Sequence, residues 1–318
     1  MGALDDLART LSDPKRIGLD DDLAKELRLA DESLTKTRLE AQLEDGKSFR
    51  TVHLLAAWVE DDTDIIGKGE VYWWAIPMLG NASGKVLWSP LCGLPTGVPP
   101  ESVGSKSWMK GFDLAKPPML VAIPPSEDYA AAFVHIGMFD DDWAPAKLAP
   151  AMKAGLSALA SVKGALESSE AFSAPIRKAI FDSLKAQQDD LMLERTIKLL
   201  REEGKGYGAG AIGSALTEFV RIYWIVKDLD RTETLGPWSL AKGQEQRVLP
   251  PSGLEGNGLL SIFARGGPVR AEPFGTLDTE RPFINAAIDS RHESALAGGF
   301  TIVAEGDADV VAFYTPPG

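Results

Sequence analysis

Short apolar or alternating segments fill two stretches of the chain, and a helical pattern separates them. Residues 51–60, T-V-H-L-L-A-A-W-V-E, and residues 70–79, E-V-Y-W-W-A-I-P-M-L, are rich in β-branched and aromatic side chains, which predicts two strands. Segments of the same kind predict further strands: M-L-V-A-I-P-P, Y-A-A-A-F-V-H-I-G-M-F, R-I-Y-W-I-V-K-D-L-D, G-L-L-S-I-F-A-R, P-F-I-N-A-A-I-D, F-T-I-V-A-E and D-V-V-A-F-Y-T. Because Gly- and Pro-rich turns separate them, these strands are typical of a sandwich or barrel.

Residues 146–222 carry apolar side chains at helical spacing. One predicted helix face is formed by Leu148, Met152, Leu156, Leu159, Val162 and Leu166, and a second by Ile176, Ile180, Leu184 and Leu191. A third helix-like run extends from Ala215 towards Tyr223. The glycines at 204, 206, 208, 210 and 213 lie between the second and third runs, and we interpret them as a flexible joint between packed helices.

The fold class predicted from this pattern is α+β: an antiparallel β-sandwich that a helical insertion interrupts. Leucines at helical spacing before Gly46 add a short helical N-terminal segment. The predicted organisation has four parts: an N-terminal helical segment (1–47), a first part of the sandwich (48–145), a helical insertion (146–222), and a second part of the sandwich with the C-terminal strands (223–318).

Composition narrows the classes of partner and of metal site. The 318 residues carry a formal net charge of -13, and this field would repel a polyanion, so we expect no nucleic-acid partner. A single cysteine, Cys92, excludes an intramolecular disulfide framework and a thiolate zinc cluster, and three histidines leave little for a His-rich site. A metal bound by this chain would therefore have oxygen ligands.

The N-terminal sequence, M-G-A-L-D-D-L, has acids where a secretory signal has basic and then apolar residues, and no run of about 18 apolar residues occurs. We expect a chain that is cytoplasmic as synthesised. Peripheral attachment to a membrane and export by a dedicated machine remain open alternatives.

Acidic residues cluster after three predicted strands. Asp64 and Glu70 lie in the first cluster, Asp140 and Asp142 in the second, and Asp228, Asp230 and Glu233 in the third. Carboxylates gathered on loops supply the oxygen ligands and the negative charge that Ca²⁺ requires. Taken singly, each cluster is typical of a solvated turn, so the calcium hypothesis depends on their joint arrangement.

Two of these clusters resemble calcium loops of C2-type calcium- and lipid-binding domains. Residues 64–72, D-I-I-G-K-G-E-V-Y, are similar to the first loop of that family, D-x-x-G-x-S-D-P-Y. Asp64, Gly67 and Tyr72 match, Glu70 stands at the second carboxylate, and Gly69 and Val71 depart from Ser and Pro. Residues 224–236 are similar to the third loop, with matches at Val226, Asp228, Asp230, Glu233, Leu235 and Gly236.

The resemblance implies a C2-like sandwich that binds calcium between loops at one end. It implies calcium ligation by Asp64, Glu70, Asp228, Asp230 and Glu233, and the acidic strand end at Asp140 and Asp142 adds further candidates. It also implies docking on an anionic membrane surface or a protein partner. The chain also resembles bacterial proteins in which such an acidic turn precedes a helical stretch with repeated glycines and a D-x-D. This second resemblance implies no activity.

We expect a non-enzymatic binding protein, because no nucleophile elbow, P-loop or dinucleotide fingerprint in its required context is present. Two alternatives stay open. The first is a structural or toxin-associated assembly component whose helical region packs or rearranges, with self-association. The second is a carboxylate-dependent hydrolase, since paired acids suffice for glycoside hydrolysis, although the sequence does not single out a pair.

Overall fold

Within the residues that the computed structural model describes, one helix and eighteen strands have defined bounds. The described residues are 3–12, 40–41, 48–61, 69–81, 86–87, 96–125, 129–140, 154–155, 158, 174–175, 177–179, 182, 191–200, 209–289, 296 and 298–317. Helix α1 spans Ala3–Ser12, and its Leu7 and Ala8 pack on Phe49 and Met119. No helix in these ranges is long and apolar enough to cross a membrane.

The strands form four antiparallel sheets. The first sheet has the order β3-β2-β7-β8, with β4 also paired to β2: β2 Gly69–Asn81, β3 Val86–Leu87, β4 Thr96–Val103, β7 Tyr129–Asp140 and β8 Leu191–Leu200. The second sheet has the order β5-β1-β10-β9, with β6 also paired to β1: β1 Arg50–Val59, β5 Ser107–Trp108, β6 Met119–Ile123, β9 Ile212–Leu216 and β10 Val220–Asp228.

The C-terminal strands form the other two sheets. The third sheet has the order β11-β18-β13-β16: β11 Glu233–Leu240, β13 Leu259–Gly266, β16 Phe283–Ala287 and β18 Ala308–Thr315. The fourth sheet has the order β12-β17-β14-β15: β12 Glu245–Val248, β14 Val269–Glu272, β15 Gly275–Leu277 and β17 Phe300–Ala304.

The buried side chains group the four sheets into two sandwiches. Each sandwich has its own apolar core, and a further apolar interface joins the two sandwiches. One core cluster, which includes Trp73 and Ile222, lies between the first and second sheets, and we call this pair the first sandwich. Another, which includes Ile262 and Ile302, lies between the third and fourth sheets, the second sandwich. A third cluster, around Phe263, joins the second sheet to the third. The four sheets therefore stack as layers, with the second sheet apolar on both faces.

Strand β1 shows how one strand supplies both interfaces. Its burial is almost continuous, as expected of a strand that is covered on both faces. The pairing with β10 shifts between Leu54 and Ala56, which is a β-bulge. Leu54 and Ala57 consequently belong to the core of the first sandwich, whereas Leu55 and Ala56 both belong to the interface with the second sandwich.

The predicted β-rich antiparallel fold is confirmed, and so are the predicted strands on both sides of residues 146–222. The predicted helical insertion is wrong in its C-terminal part. Residues 191–200 and 212–216 are strands β8 and β9, and the run from Ala215 to Tyr223 is the β9–β10 hairpin. Residues 154–155, 158, 174–175, 177–179 and 182 are helical. The rest of residues 146–190 lie outside the described residues, as do most of residues 1–47.

Candidate functional site

The predicted calcium ligands are only partly within the described structure. Asp64 and Asp142 lie outside the described residues, and Glu70 lies in β2 with its side chain outside the description. Asp140 is buried at the end of β7 and is paired in register with Val71 of β2. It therefore lies at the end of the first sandwich where the acidic turn leads into β2.

Asp228 is held by a cation of the chain itself. It is 2% exposed at the end of β10, directly opposite Arg50 of β1, and the two side chains form an ion pair. The hydroxyl of Thr232 accepts a hydrogen bond from the Asp228 amide, 2.8 Å, and the Thr232 amide donates to the Asp228 carbonyl, 2.9 Å. The Arg50 guanidinium therefore neutralises this carboxylate.

Asp230 and Glu233 have separate partners near Asp228. Asp230 is exposed and accepts a hydrogen bond from the hydroxyl of Ser48, 2.9 Å. Glu233 begins β11 and accepts a hydrogen bond from the amide of Ser252, 3.2 Å. In the described part of the chain, no three His, Cys, Asp or Glu side chains are gathered in a way that could hold a metal ion.

The two turns that resemble C2 loops flank opposite ends of the β1–β10 pair. Asp228 lies opposite Arg50, the first residue of β1. Glu60, which opens the acidic turn after β1, donates its amide to the carbonyl of Phe219, 2.7 Å, at the other end. The ten residues of β1 span roughly 30 Å at about 3.3 Å per residue. The structure therefore separates the described flanks of two turns that the resemblance implies to lie together.

A buried polar group with a perturbed pKa lies on the outer face of the first sheet. His135 of β7 is fully buried, with its Nδ1 3.4 Å from the Thr196 hydroxyl and its Nε2 3.8 Å from Glu194. Arg177 lies 2.6 Å from the other oxygen of Glu194. Burial first, and then the positive charge of Arg177, lowers the pKa of His135 to about 3. The imidazole is therefore neutral at pH 7, which suits a structural group.

A cavity with both charged and apolar lining lies between the two sandwiches, with a volume of about 980 Å³. We call it the inter-sandwich cleft. One wall is β9 with the β9–β10 turn, residues 214–218, and the opposite wall is formed by residues 274–276 and 280–285 around β15 and β16. Pockets that hold ligands occupy about 300–1,000 Å³, so the cleft is large enough for several residues of a peptide.

Arg221 of β10 is the charged centre of this cleft. Its guanidinium pairs with Glu60 and lies 3.3 Å from Glu280 of the opposite wall. Burial lowers the pKa of Arg221, but the two carboxylates raise it by more, so the net shift is upward. Tyr223 lies next to it, and burial raises the pKa of its phenol despite the nearby guanidinium. At neutral pH the Arg221 guanidinium is therefore charged, and the Tyr223 phenol keeps its proton.

Strand β9 presents backbone groups to the cleft. Among the strands that the structure describes, it is the last of the second sheet and pairs only with β10, on its inner side. The Thr217 amide donates to the Val220 carbonyl, 2.8 Å, so Thr217 and Val220 form a hydrogen-bonded pair that closes the hairpin. In an antiparallel ladder such pairs alternate with pairs whose N–H and C=O groups point outward. Ser214 and Leu216 therefore direct their N–H and C=O groups to the outer edge.

Asn285 of β16 marks where this outer edge begins. Its side-chain amide donates to the Ile212 carbonyl, 2.8 Å, and accepts from the Ile212 amide, 2.9 Å. The Asn285 side chain therefore makes the two hydrogen bonds to the Ile212 backbone that a neighbouring strand would make. Further along the edge, the Leu216 carbonyl accepts a hydrogen bond from the Arg195 guanidinium, 3.3 Å. Among the described residues, no other partner for the outward groups of Ser214 and Leu216 is present.

The opposite wall has a second open strand edge. β16 is the last described strand of the third sheet, and within the described ranges it pairs only with β13. The Ala264 amide donates to the Pro282 carbonyl, 2.8 Å, which sets the alternation so that Phe283 and Asn285 direct their backbone groups away from β13. Two strand edges thus face one cleft within the described part of the chain.

Sequence patterns pointed to acids and missed this cleft. Glu60 ends the predicted strand of residues 51–60, but its partner Arg221 is far away in the chain. Gly213 lies in β9 and not in the predicted flexible joint, and a Cβ added there would be 2.5 Å from the Trp224 ring. The residue types Gly213, Ser214 and Ala215 give no strand signal of their own, since small residues have low β-propensity.

No protein-family model matches the chain, and no curated protein matches its sequence. Among solved structures, it is similar to two of human GIVD cytosolic phospholipase A2, one of them in complex with methyl gamma-linolenyl fluorophosphonate inhibitor and terbium chloride. The identities are 7% and 8% and the TM-scores 0.27 and 0.26, over 85% of this chain and 32% and 33% of those chains. The chain thus spans about a third of the length of the phospholipase chains.

It is also similar to a bacterial pirin from Escherichia coli in complex with nickel(II). The identity is 10% and the TM-score 0.24, over 86% of this chain and 78% of that chain. TM-scores this low do not establish a shared fold.

Proposed function

We propose that the protein is a non-enzymatic binding protein that docks on a protein partner through the inter-sandwich cleft. The observation that carries this proposal is the pair of strand edges, β9 and β16, that face a cavity of about 980 Å³. Open strand edges are templates for pairing with another chain, and folded proteins usually cover or blunt them. A cleft with two such edges is suited to a polypeptide partner.

The lining of the cleft favours binding over catalysis. The described residues that line it include hydroxyl groups but neither histidine nor cysteine. Arg221 is already paired with Glu60 and Glu280, so these carboxylates are not placed as a free acid and base. The raised pKa of Tyr223 keeps its phenol protonated at neutral pH, where it serves as a hydrogen-bond donor.

A displayed library of random decapeptides tests this proposal. Thr276 is exposed and lines the cleft, so Thr276→Trp should fill it without disturbing the fold; Ser252→Trp changes an exposed residue that does not line it. We expect peptides selected on the wild-type protein to bind Ser252→Trp equally well and to lose at least about tenfold in affinity for Thr276→Trp. Failure to enrich any peptide, or equal binding to both variants, would contradict the proposal.

Calcium binding is a second candidate function. Bound calcium would let the protein dock on an anionic membrane or on a protein partner. One observation favours it: buried Asp140 lies at the end of the first sandwich that carries the acidic turn after Glu60. Calcium at this end would draw on Asp64, Glu70, Asp140 and Asp142. Asp228, Asp230 and Glu233 lie at the far end, so this revised set leaves them out.

Titration calorimetry with calcium tests whether the ion binds at the Asp140 end of the first sandwich or at the Asp230 end. We expect Asp140→Asn to weaken calcium binding by about tenfold or more, because it removes a negative charge from the ligand set. Asp230→Asn is the matched control and should leave the affinity unchanged, since Asp230 bonds to Ser48 at the other end. No binding at millimolar calcium, or an equal effect of both variants, would exclude this candidate.

A further inference from the structure

We propose that the occupant of the inter-sandwich cleft is an extended, basic peptide segment that adds to the outer edge of β9 as an extra strand of the second sheet. This inference rests on the proposed function and specifies the partner's conformation and charge. Strand addition is an established mode of recognition, in which main-chain hydrogen bonds supply affinity and alternate side chains supply specificity.

The hydrogen-bonding groups of β9 define where the strand would lie. The outward N–H and C=O groups of Ser214 and the outward N–H of Leu216 are two residues apart. Along one edge of a strand, every second residue presents its backbone groups in this way. The N–H and C=O groups of Ile212 already bond to the Asn285 side chain, so the free part of the edge ends at Ile212 on that side. The Leu216 carbonyl is held by the exposed guanidinium of Arg195, a flexible side chain that an incoming strand can displace.

The side chains of β9 and its surroundings favour alternating apolar residues in the occupant. Leu216 is 65% exposed although it lines the cleft, and Phe274 and Phe283 line the opposite wall. A strand beside β9 directs every second side chain to this side of the sheet. Apolar side chains there would cover Leu216, which is one of few large exposed apolar residues among those described.

Charge decides in favour of a basic occupant. Three carboxylates line the cleft, Glu60, Glu218 and Glu280, against two guanidinium groups, Arg221 and Arg281, so the acids outnumber the bases in the lining. Arg221 pairs with Glu60 and Glu280. Glu280 is 79% exposed on the rim. The whole chain carries a net charge of -13, so its field attracts a cation and repels an acidic segment or a second copy of the chain.

The test uses a fluorescent decapeptide of alternating lysine and valine as its probe, with the alternating glutamate and valine peptide as the charge control. We expect the lysine peptide to bind the full chain, and the glutamate peptide to bind at least about tenfold more weakly. Two further probes carry N-methyl groups on every lysine or on every valine. Because N–H groups alternate between the edges of a strand, one of these should lose binding and the other should retain it.

Two variants of Ser214 test the outer edge of β9 by changing the protein instead of the peptide. The Ser214 N–H points away from β10, so Ser214→Pro removes a donor of the edge without breaking the ladder. We expect it to weaken binding of the lysine peptide by at least about tenfold. Ser214→Ala keeps the N–H and should bind as the wild type does. The N-methylated probes give the same information on the unaltered protein if Ser214→Pro does not fold.

The outcomes separate this inference from the proposed function. Equal binding of both N-methylated probes, or preference for the glutamate peptide, would overturn strand addition by a basic segment. If library peptides bind in the cleft but the lysine peptide does not, the inference fails and the proposed function stands. A dimer of the chain that Ser214→Pro dissociates would identify a second copy as the occupant and also overturn it. If no peptide depends on the cleft, both fail.

Discussion

Replacing Arg50 by methionine is expected to destabilise the fold by about 3–5 kcal/mol, the usual cost of leaving a buried carboxylate without its cation. Asp228, its partner, has a side chain only 3% exposed, whereas that of Arg50 is 22% exposed. Partial exposure of Arg50 lets water reach the site in the variant, so the lower end of this range applies. Urea unfolding at neutral pH measures the loss directly.

An exposed ion pair provides the matched control for this prediction. Arg270 pairs with Glu272 on the surface, where both side chains are 48% exposed. Arg270→Met should cost less than about 1 kcal/mol, as exposed pairs do. We expect added calcium to leave the stability of Arg50→Met unchanged. If calcium instead restores the lost stability, Asp228 is a cation ligand, as the sequence predicted, and the assignment of Arg50 as its resident partner is wrong.

Acid is expected to destabilise the protein through His135 over the range from about pH 6.5 down to about pH 3. Its pKa in the folded state is about 3, below the ordinary value of 6.5, so folding favours the neutral ring. The associated stability is fully present above pH 6.5 and is lost as the pH falls and the unfolded chain binds a proton. The loss is about 1.4 kcal/mol for each pH unit, roughly 5 kcal/mol across the whole range.

The free energy of unfolding, measured at several pH values, tests the role of His135. His135→Leu removes the titrating ring, so its stability should fall less steeply between pH 6.5 and pH 3 than that of the wild type. Thr196→Val removes only the hydroxyl 3.4 Å from Nδ1 and should keep the wild-type slope. An unchanged slope in His135→Leu would show that other groups cause the acid sensitivity.

The strands could be predicted from the sequence where apolar side chains alternate or run in short blocks. β8 lies within the predicted helical insertion, and its burial does not alternate: Met192 and Leu193 are both buried, at a register shift opposite Met138 and Phe139. Adjacent apolar residues of this kind imitate helical spacing. β9 lacks a strand pattern for another reason, since pairing with β10, and not the propensity of its small residues, fixes it as a strand.

The candidate site depends on contacts between residues that are distant in the chain, and sequence patterns do not report these. The register of β1 with β10 places Arg50 opposite Asp228, so an acid that looks like a ligand is instead part of an ion pair. The same register separates that acid from Glu60 at the other end. The cleft exists only because the two sandwiches pack through Phe263 and its neighbours. Acid clusters were visible in the sequence, but their partners were not.

Hydrogen exchange of the β9 amides tests strand addition most directly. In the free protein, the N–H groups of Ser214 and Leu216 should exchange quickly, and those of Gly213 and Ala215 slowly, because only the latter bond to β10. With the lysine and valine peptide bound, exchange at Ser214 and Leu216 should slow by at least about tenfold, while Gly213 and Ala215 stay protected. Bound peptide with unchanged exchange at Ser214 and Leu216 would contradict the account.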